Sequence, residues 1–245
     1  MNNKIIDISI VIPVKDEAGN ILPLAEELTG VFEKEEWPWE CIWIDDGSED
    51  ESLNELKIVV RKNPQHSYIS FGKNAGKSAA LIAGFNTARG NIIATIDGDG
   101  QNDPSNLPGL IKLLKSEDLD MVNGYRASRK DTSIRKVASR IANFFRNTMT
   151  GKTVRDVGCA TRVFKKECIE FLPRFRGMHR FLPTFAAMYG FKLSEVPVIH
   201  RPRSRGKSKY TINNRLWVGL FDTFGVLWLR KRNFSYKIKE KSERQ

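Results

Sequence analysis

The stretch IDGDGQNDP, residues 96–104, places Asp97, Asp99, Gln101 and Asp103 directly after the apolar run NIIAT. Side-chain oxygens of this kind suit Mg²⁺ or Mn²⁺, hard cations that take one or two carboxylates together with substrate phosphates. In an extended segment Asp97, Asp99 and Gln101 alternate and point to one side, while the intervening glycines let the backbone turn tightly. The same residues also read as an acidic turn capping a helix, with Asp103 or Ser105 at the cap. A second acidic loop, DDGSEDES (45–52), follows the apolar CIWI and could hydrogen-bond a base or ribose. No GxxxxGK[ST] phosphate loop is present, since GKNAGKSAA has the wrong spacing, and GxGxxG is missing too. Both absences argue against an ordinary P-loop ATPase and a dinucleotide dehydrogenase.

The chain of 245 residues carries a formal charge of +11, unevenly divided. Residues 1–125 hold 11 Lys and Arg against 21 Asp and Glu, whereas residues 126–245 hold 29 against 8. A basic half of this strength points to phosphate, as nucleic acid, anionic lipid head group or phosphorylated substrate, with a merely soluble basic surface as the alternative. The acidic strand ends would repel a nucleic-acid backbone, and no nucleic-acid motif accompanies the basic residues, so nucleic acid is not expected as a partner.

These groups need a scaffold to position them. ISIVIPV (8–14), CIWIDDG (41–47), HSYISFGKN (66–74), NIIATIDGDG (91–100) and MVNGYR (121–126) read as strands running into polar loops. NILPLAEELTGVFEKEE (20–36), AGKSAALIAGFNTAR (75–89) and LPGLIKLLKSE (107–117) read as helices between them. Strands alternating with helices predict a parallel, doubly wound α/β sheet that binds ligands outside the carboxyl ends of its strands. The clusters KDE, DDGSEDES, FGKNAGK and DGDGQNDP all fall at those ends, so four loops are expected to converge on one crevice. Beyond residue 126 the pattern weakens: SIRKVASRIANFFRNTMTG (133–151) reads as a basic amphipathic helix, TRVFKKECIEFL (161–172) as strand then helix, and KLSEVPVIHRPR (192–203) as a late strand.

The segments IVIPVKDEAGNI, WIDDGSEDES, GKNAGKSAALIAGF, ATIDGDGQNDP, VGCATRVFKKE, HRFLP and RPRSRGKSKYT resemble, in order, the motifs of glycosyltransferase family 2, in particular its dolichyl or polyprenyl phosphate sugar transferases. The resemblance implies a GT-A type, Rossmann-like and mostly parallel sheet, and an inverting enzyme that moves one sugar from a UDP- or GDP-sugar to a polyprenyl phosphate. It implies that Pro13, Val14, Asp16, Glu17, Asp45 and Asp46 line the nucleotide pocket, with Lys77 in the matching GK element. Asp97, Asp99 and Gln101 would hold Mg²⁺ or Mn²⁺ against the diphosphate, Asp97 also serving the nucleotide. Arg126, Arg135 and Ser139 match positions associated with phosphate groups and the acceptor; Arg203, Ser208 and Lys209 match a mobile loop that closes over the site. Arg135 and Ser139 could equally belong to the solvated face of a helix. Asp156 could contact the sugar, act as a base for a hydroxyl acceptor or cap its own turn. His179, near a matching family segment, could touch a phosphate, but a lone histidine reads rather as structural, and it stands outside the catalytic set. The alternatives are a family 2 transferase acting on a saccharide hydroxyl, for which no QxxRW-like element is found, and a binding module without turnover.

Residues 1–211 are thus expected to form the catalytic domain and 212–245 a basic, aromatic helix and charged tail. LWVGLFDTFGVLWL (216–229) contains Asp222 and is too short for a membrane span, which needs about 20 apolar residues. On a helix, Trp217, Phe221, Phe224 and Trp228 fall within about 60° of one another. With Arg230, Lys231 and Arg232 following, the stripe suits a membrane surface or an integral membrane partner. Packing on the sheet, or self-association as a homo-oligomer, is the alternative. MNNKIIDISIVIP lacks the charged start and cleavage site of a signal peptide. Cys41, Cys159 and Cys168 have no metal-type spacing and cannot all pair, which suits a reducing cytoplasm. The expected location is therefore cytoplasmic and peripheral on the inner face of the membrane.

Overall fold

The computed structural model of the protein describes residues 5–127, 154–202, 212–232 and 240, with 212–220 described as helical backbone. Strands β1 (Ile8–Val14), β2 (Trp39–Asp45), β3 (His66–Ser70) and β4 (Ile92–Thr95) run parallel, connected through α1 (Ile21–Phe32), α2 (Ser52–Lys62) and α3 (Lys77–Thr87). α4 (Asn106–Ser116) then leads into β5 (Met121–Arg126), and β6 (Arg162–Lys165), α5 (Leu182–Met188), β7 (Leu193–Val198) and α6 (Ile212–Arg232) follow. The sheet order is β3-β2-β1-β4-β6-β5-β7. β6 is antiparallel to both β4 and β5, and β7 is parallel to β5. This is the α/β sheet expected from the alternation of elements, parallel except for β6.

Alternation within the central strand explains its place. Ile8, Ile10, Ile12 and Val14 join the core shared with Leu24, Leu28 and Phe32 of α1, while Val11 joins the opposite core with Leu81 and Phe85 of α3. A strand apolar on both faces is stable only when helices cover both. From β1 the sheet extends to β2 and β3 on one side and to β4 on the other, so the crevice at their carboxyl ends is a topological switch point.

Two elements depart from the expectation. α2 begins inside the acidic run at Ser52, which reads as a loop by composition; its buried face is only Ser52, Leu56 and Val59. KECI after β6 is a 3₁₀ turn (Lys166–Ile169) rather than a longer helix. Pro173 bars helical backbone at Leu172, which limits how far a helix could run there. The helix expected over 133–151 lies outside the described residues.

α6 is two-sided. Val226 is fully buried, Thr223 is buried and Leu229 packs against the core beneath α3 and α5. On its other side Phe221, Phe224 and Trp228 are 74%, 50% and 62% exposed. The aromatic stripe, as far as its side chains are described, is therefore not packed on the sheet. No helix among the described residues is long and apolar enough to cross a membrane.

Candidate active site

The loop after β1 is stitched to the loop after β2. Asp16 and Glu17 donate their backbone N–H groups to the hydroxyls of Ser48 (2.9 Å) and Ser52 (2.8 Å), and the Asp16 carboxylate accepts the N–H of Glu49 at 2.7 Å. Glu17 Oε2 accepts from Asn20 at 2.9 Å. At the end of β2 both carboxylates are buried. Asp45 accepts the Ser48 N–H (2.9 Å) and the Ser70 hydroxyl (2.7 Å); Asp46 accepts the N–H groups of Ala75 (2.7 Å) and Gly76 (2.9 Å). These bonds tie the ends of β1, β2 and β3 into one rim. Beside that rim lies a cavity of about 700 Å³ lined by Ser70, Phe71, Gly72, Lys73, Ala75 and Ala79.

The loop after β4 joins the rim through two contacts. A Cβ on Gly98 would stand 2.4 Å from Val14 Cγ1, so only glycine lets the acidic loop pass this close to the end of β1. Lys77, the first residue of α3, forms an ion pair with Asp97. Asp99 Oδ1 accepts the Gln101 backbone N–H at 3.1 Å in a local turn, and the Gln101 carboxamide donates to the Arg201 carbonyl at 3.4 Å. On the far side the Gln101 carbonyl accepts the Arg201 N–H (2.8 Å), and the Arg201 guanidinium reaches Asp103 (2.8 Å) and Glu27 (2.8 Å). Burial pushes the Asp103 carboxyl up, but hydrogen bonds from Ser105 and Arg201 outweigh it and hold the group below its ordinary value.

Pro13, Val14, Asp16, Glu17, Asp45, Asp46, Lys77, Asp97, Asp99 and Gln101 are thus brought to one end of the sheet. Arg126, at the end of β5, is held by Asp156 through paired bonds of 2.7 and 2.9 Å. Arg135, Ser139, Arg203, Ser208 and Lys209 lie outside the described residues. Among the described residues, no three His, Cys, Asp or Glu side chains group as a metal cluster. A cation here would draw on the Asp97 and Asp99 carboxylates, the Gln101 carboxamide oxygen and substrate phosphates. That hard-oxygen set fits Mg²⁺ or Mn²⁺.

The family 2 glycosyl transferase model matches residues 9–172, which contain every one of these strand-end loops up to β6. The dodecaprenyl-phosphate galacturonate synthase of Rhizobium johnstonii is 34% identical over 230 residues, covering 92% of this chain and 68% of that protein. The chain belongs to glycosyl transferase family 2. The undecaprenyl-phosphate 4-deoxy-4-formamido-L-arabinose transferase of Serratia proteamaculans is 35% identical over 84% of this glycosyltransferase, which spans 63% of that relative's length. Among solved structures, glucosyl-3-phosphoglycerate synthase from Mycobacterium tuberculosis, crystallised with Mn²⁺, UDP and glucosyl-3-phosphoglycerate, superposes with a TM-score of 0.66 at 18% identity. The match covers 91% of this chain and 79% of that one, and bears on the fold.

Residues of this transferase that motif spacing did not single out also reach the site. Arg162 of β6 is buried, and its guanidinium donates to Asn123 Oδ1 (2.8 Å), the His179 carbonyl (2.9 Å) and the Val157 carbonyl (2.6 Å). Burial pulls this guanidinium below its ordinary value, and the neighbouring Asp97 and Asp156 push it back. A charged residue interrupting the apolar alternation of TRVF was the available signal. Asp156 caps the Gly158 N–H at 3.2 Å, one of its three expected roles, and also holds Arg126, which was not among them.

Proposed function

We propose that this glycosyltransferase moves a single sugar from a UDP- or GDP-sugar to a polyprenyl phosphate at the cytoplasmic face of a membrane. The observation that carries the reading is the packing of the Asp97–Gln101 loop against the end of β1 and the start of α3, through Gly98 and Lys77, with Arg126 held by Asp156 at the end of β5. The named activities of the relatives support the same acceptor class.

The loops after β1, β2 and β3 bind the nucleoside, with Asp16 and Glu17 at the mouth of the crevice. Asp45 and Asp46 act there by holding the loop backbones, since their carboxylates are spent on N–H and hydroxyl donors. Asp97, Asp99 and Gln101 hold the divalent cation, which when bound neutralises charge on the donor diphosphate. Lys77 adds a fixed cation where negative charge develops on the leaving group. An oxygen of the lipid phosphate attacks the anomeric carbon as the nucleoside diphosphate departs from the opposite side, so configuration inverts. That oxygen is already ionised near neutral pH and needs no general base. Arg126, together with Arg135, Ser139, Arg203, Ser208 and Lys209, restrains the acceptor beside the donor's charge through guanidinium, ammonium and hydroxyl donors.

A saccharide-hydroxyl acceptor would need a poised base. Asp156, the carboxylate nearest to that role, is committed to Arg126, which favours the phosphate acceptor.

α6 contributes the membrane contact in this reading. Phe221, Phe224 and Trp228 enter the head-group layer while Arg230, Lys231 and Arg232, all exposed, meet anionic lipid. Replacing Phe221 and Trp228 together with Ser is expected to lower sedimentation with phosphatidylglycerol vesicles at least tenfold, the loss of two buried aromatic side chains being worth that much. Unchanged sedimentation would remove α6 from the membrane. The activity is tested by screening UDP- and GDP-sugars against undecaprenyl phosphate with Mg²⁺ or Mn²⁺ and reading lipid-linked sugar; no product with any donor would refute the proposal.

A further inference from the structure

Asn102 follows Gln101 and, at 4% exposed, has the most buried polar side chain of the loop after β4. A buried carboxamide needs partners for its polar atoms, and here one end decides the other. The backbone N–H of Asp97 can only donate, so the Asn102 atom 3.2 Å from it is Oδ1. Nδ2 then lies on the opposite side, where it donates to the Thr161 hydroxyl at 2.9 Å. Thr161 is fully buried beside the first residue of β6, and its carbonyl accepts the N–H of Gly124, two residues before Arg126, at 2.9 Å.

One side chain thus closes residues 97–102 into a loop and anchors that loop beside β5 and β6. The enclosed residues include Asp97, Asp99 and Gln101, the three groups a cation would draw on. The Asn102 backbone is itself pinned from outside, by an antiparallel bridge to His200 beyond β7. Lys77 and Asn102 hold Asp97 in different ways. Lys77 meets its carboxylate, where an arriving cation competes; Asn102 meets its backbone, which a cation leaves untouched.

We propose that Asn102 is the positioning residue of the metal loop: its carboxamide sets the spacing of Asp97, Asp99 and Gln101 about the cation and, through Thr161, the place of that loop relative to Arg126. The inference rests on the cation being held where the transferase reading puts it. Asn102 itself touches neither cation nor substrate in this role. Partners that orient metal ligands without touching the ion change metal affinity or activity by about 10- to 100-fold when removed.

The experiment compares wild type, Asn102→Ala, Asn102→Asp and Thr161→Val. It measures the Kd for Mn²⁺ from the free-ion electron paramagnetic resonance signal with UDP or GDP present, the MnCl₂ dependence of transfer, and Tm. Asn102→Ala is expected to weaken Mn²⁺ binding by about 10-fold or more. Asn102→Asp keeps an acceptor for the Asp97 N–H and can accept the Thr161 hydroxyl proton, but it buries a charge. It is therefore expected to lower Tm as Ala does and yet to bind Mn²⁺ within about threefold of wild type, affinity following the acceptor and not the stability. Thr161→Val leaves the bond to Asp97 and removes the anchor, with an expected loss of about 2- to 10-fold, what a neutral hydrogen bond contributes. Mn²⁺ affinity equal to wild type in Asn102→Ala, whatever its Tm, would overturn the inference, as would an Asp variant as weak as Ala. If Asn102→Ala does not fold, unchanged Mn²⁺ affinity in Thr161→Val overturns it instead. A wild type that binds no Mn²⁺ with either nucleotide would overturn the metal reading itself, whereas the other outcomes leave that reading intact.

Discussion

After β2 the chain runs Asp45, Asp46, Glu49, Asp50, and after β4 it runs Asp97, Asp99, Asp103, two acidic loops of similar composition at the ends of the strands that flank β1. The first is turned inward: Asp45 is 1% and Asp46 4% exposed, and their oxygens are filled by the N–H groups of Ser48, Ala75 and Gly76 and the hydroxyl of Ser70. The second keeps its Asp97 carboxylate about one-third exposed, and a lysine side chain meets it rather than buried amides. Buried carboxylates whose oxygens are filled by amide and hydroxyl donors hold their loops together; the partly exposed Asp97, met by the Lys77 ammonium, can take a cation in its place. One loop builds the rim, and the other carries the chemistry.

The sharpest test of this division is Asp99→Ala. It is expected to lower transfer by about 10³-fold or more, several kcal/mol of transition-state stabilisation, with a Tm within about 2 °C of wild type. Activity within tenfold of wild type would move the metal away from this loop. Asp46→Ala should behave in the opposite manner. Two backbone N–H groups lose their buried acceptor, so unfolding free energy in urea should fall by about 2–4 kcal/mol. Transfer lost without any fall in stability would mean that Asp46 touches substrate directly and that the two loops are not so different.

Composition identified both loops but could not tell them apart, because the partners that distinguish them are backbone amides, which have no residue signature. The same limit appears elsewhere. The bounds of β1 and β5 are readable from ISIVIPV and MVNGYR, where apolar alternation ends at a polar turn. α2 is hidden because its first turn lies within the acidic run, and acidic residues mark a helix start as well as a ligand loop. The antiparallel direction of β6 is not encoded in TRVF at all. Among the site residues, the pairing of Arg126 with Asp156 spans 30 positions and brings together two residues that had been assigned separate roles.

His66, the first residue of β3 and so at the opposite end of the sheet from the rim, gives a pH test of the fold itself. Trp43 donates to its Nδ1 at 3.0 Å, Thr29 lies 3.1 Å from its Nε2, and burial lowers its pKa from 6.5 to about 4. The folded protein refuses a proton that the unfolded chain accepts, so this contribution is complete above pH 6.5 and is lost as pH falls toward 4. Between pH 7 and pH 5 the loss amounts to about 2 kcal/mol. Urea midpoints at the two pH values should show it, and His66→Gln should flatten the dependence. An equal slope in both proteins would assign the acid sensitivity to other groups.

The smallest effect is expected at the outer edge of the chemical loop. Arg201 bridges Asp103 and Glu27 with a side chain that is 40% exposed, and exposed ion pairs contribute about 0.2–1 kcal/mol each before salt screens them. What joins Arg201 to Gln101 is its backbone N–H, which Arg201→Ala retains. The variant should therefore lose no more than about 1–2 kcal/mol at low salt, less in 0.5 M NaCl, and transfer sugar within about threefold of wild type. A loss of transfer as large as that of Asp99→Ala would show that side-chain charge, rather than backbone pairing, holds the loop after β4. The two acidic loops would then differ in which partners they use and not in how tightly they are built.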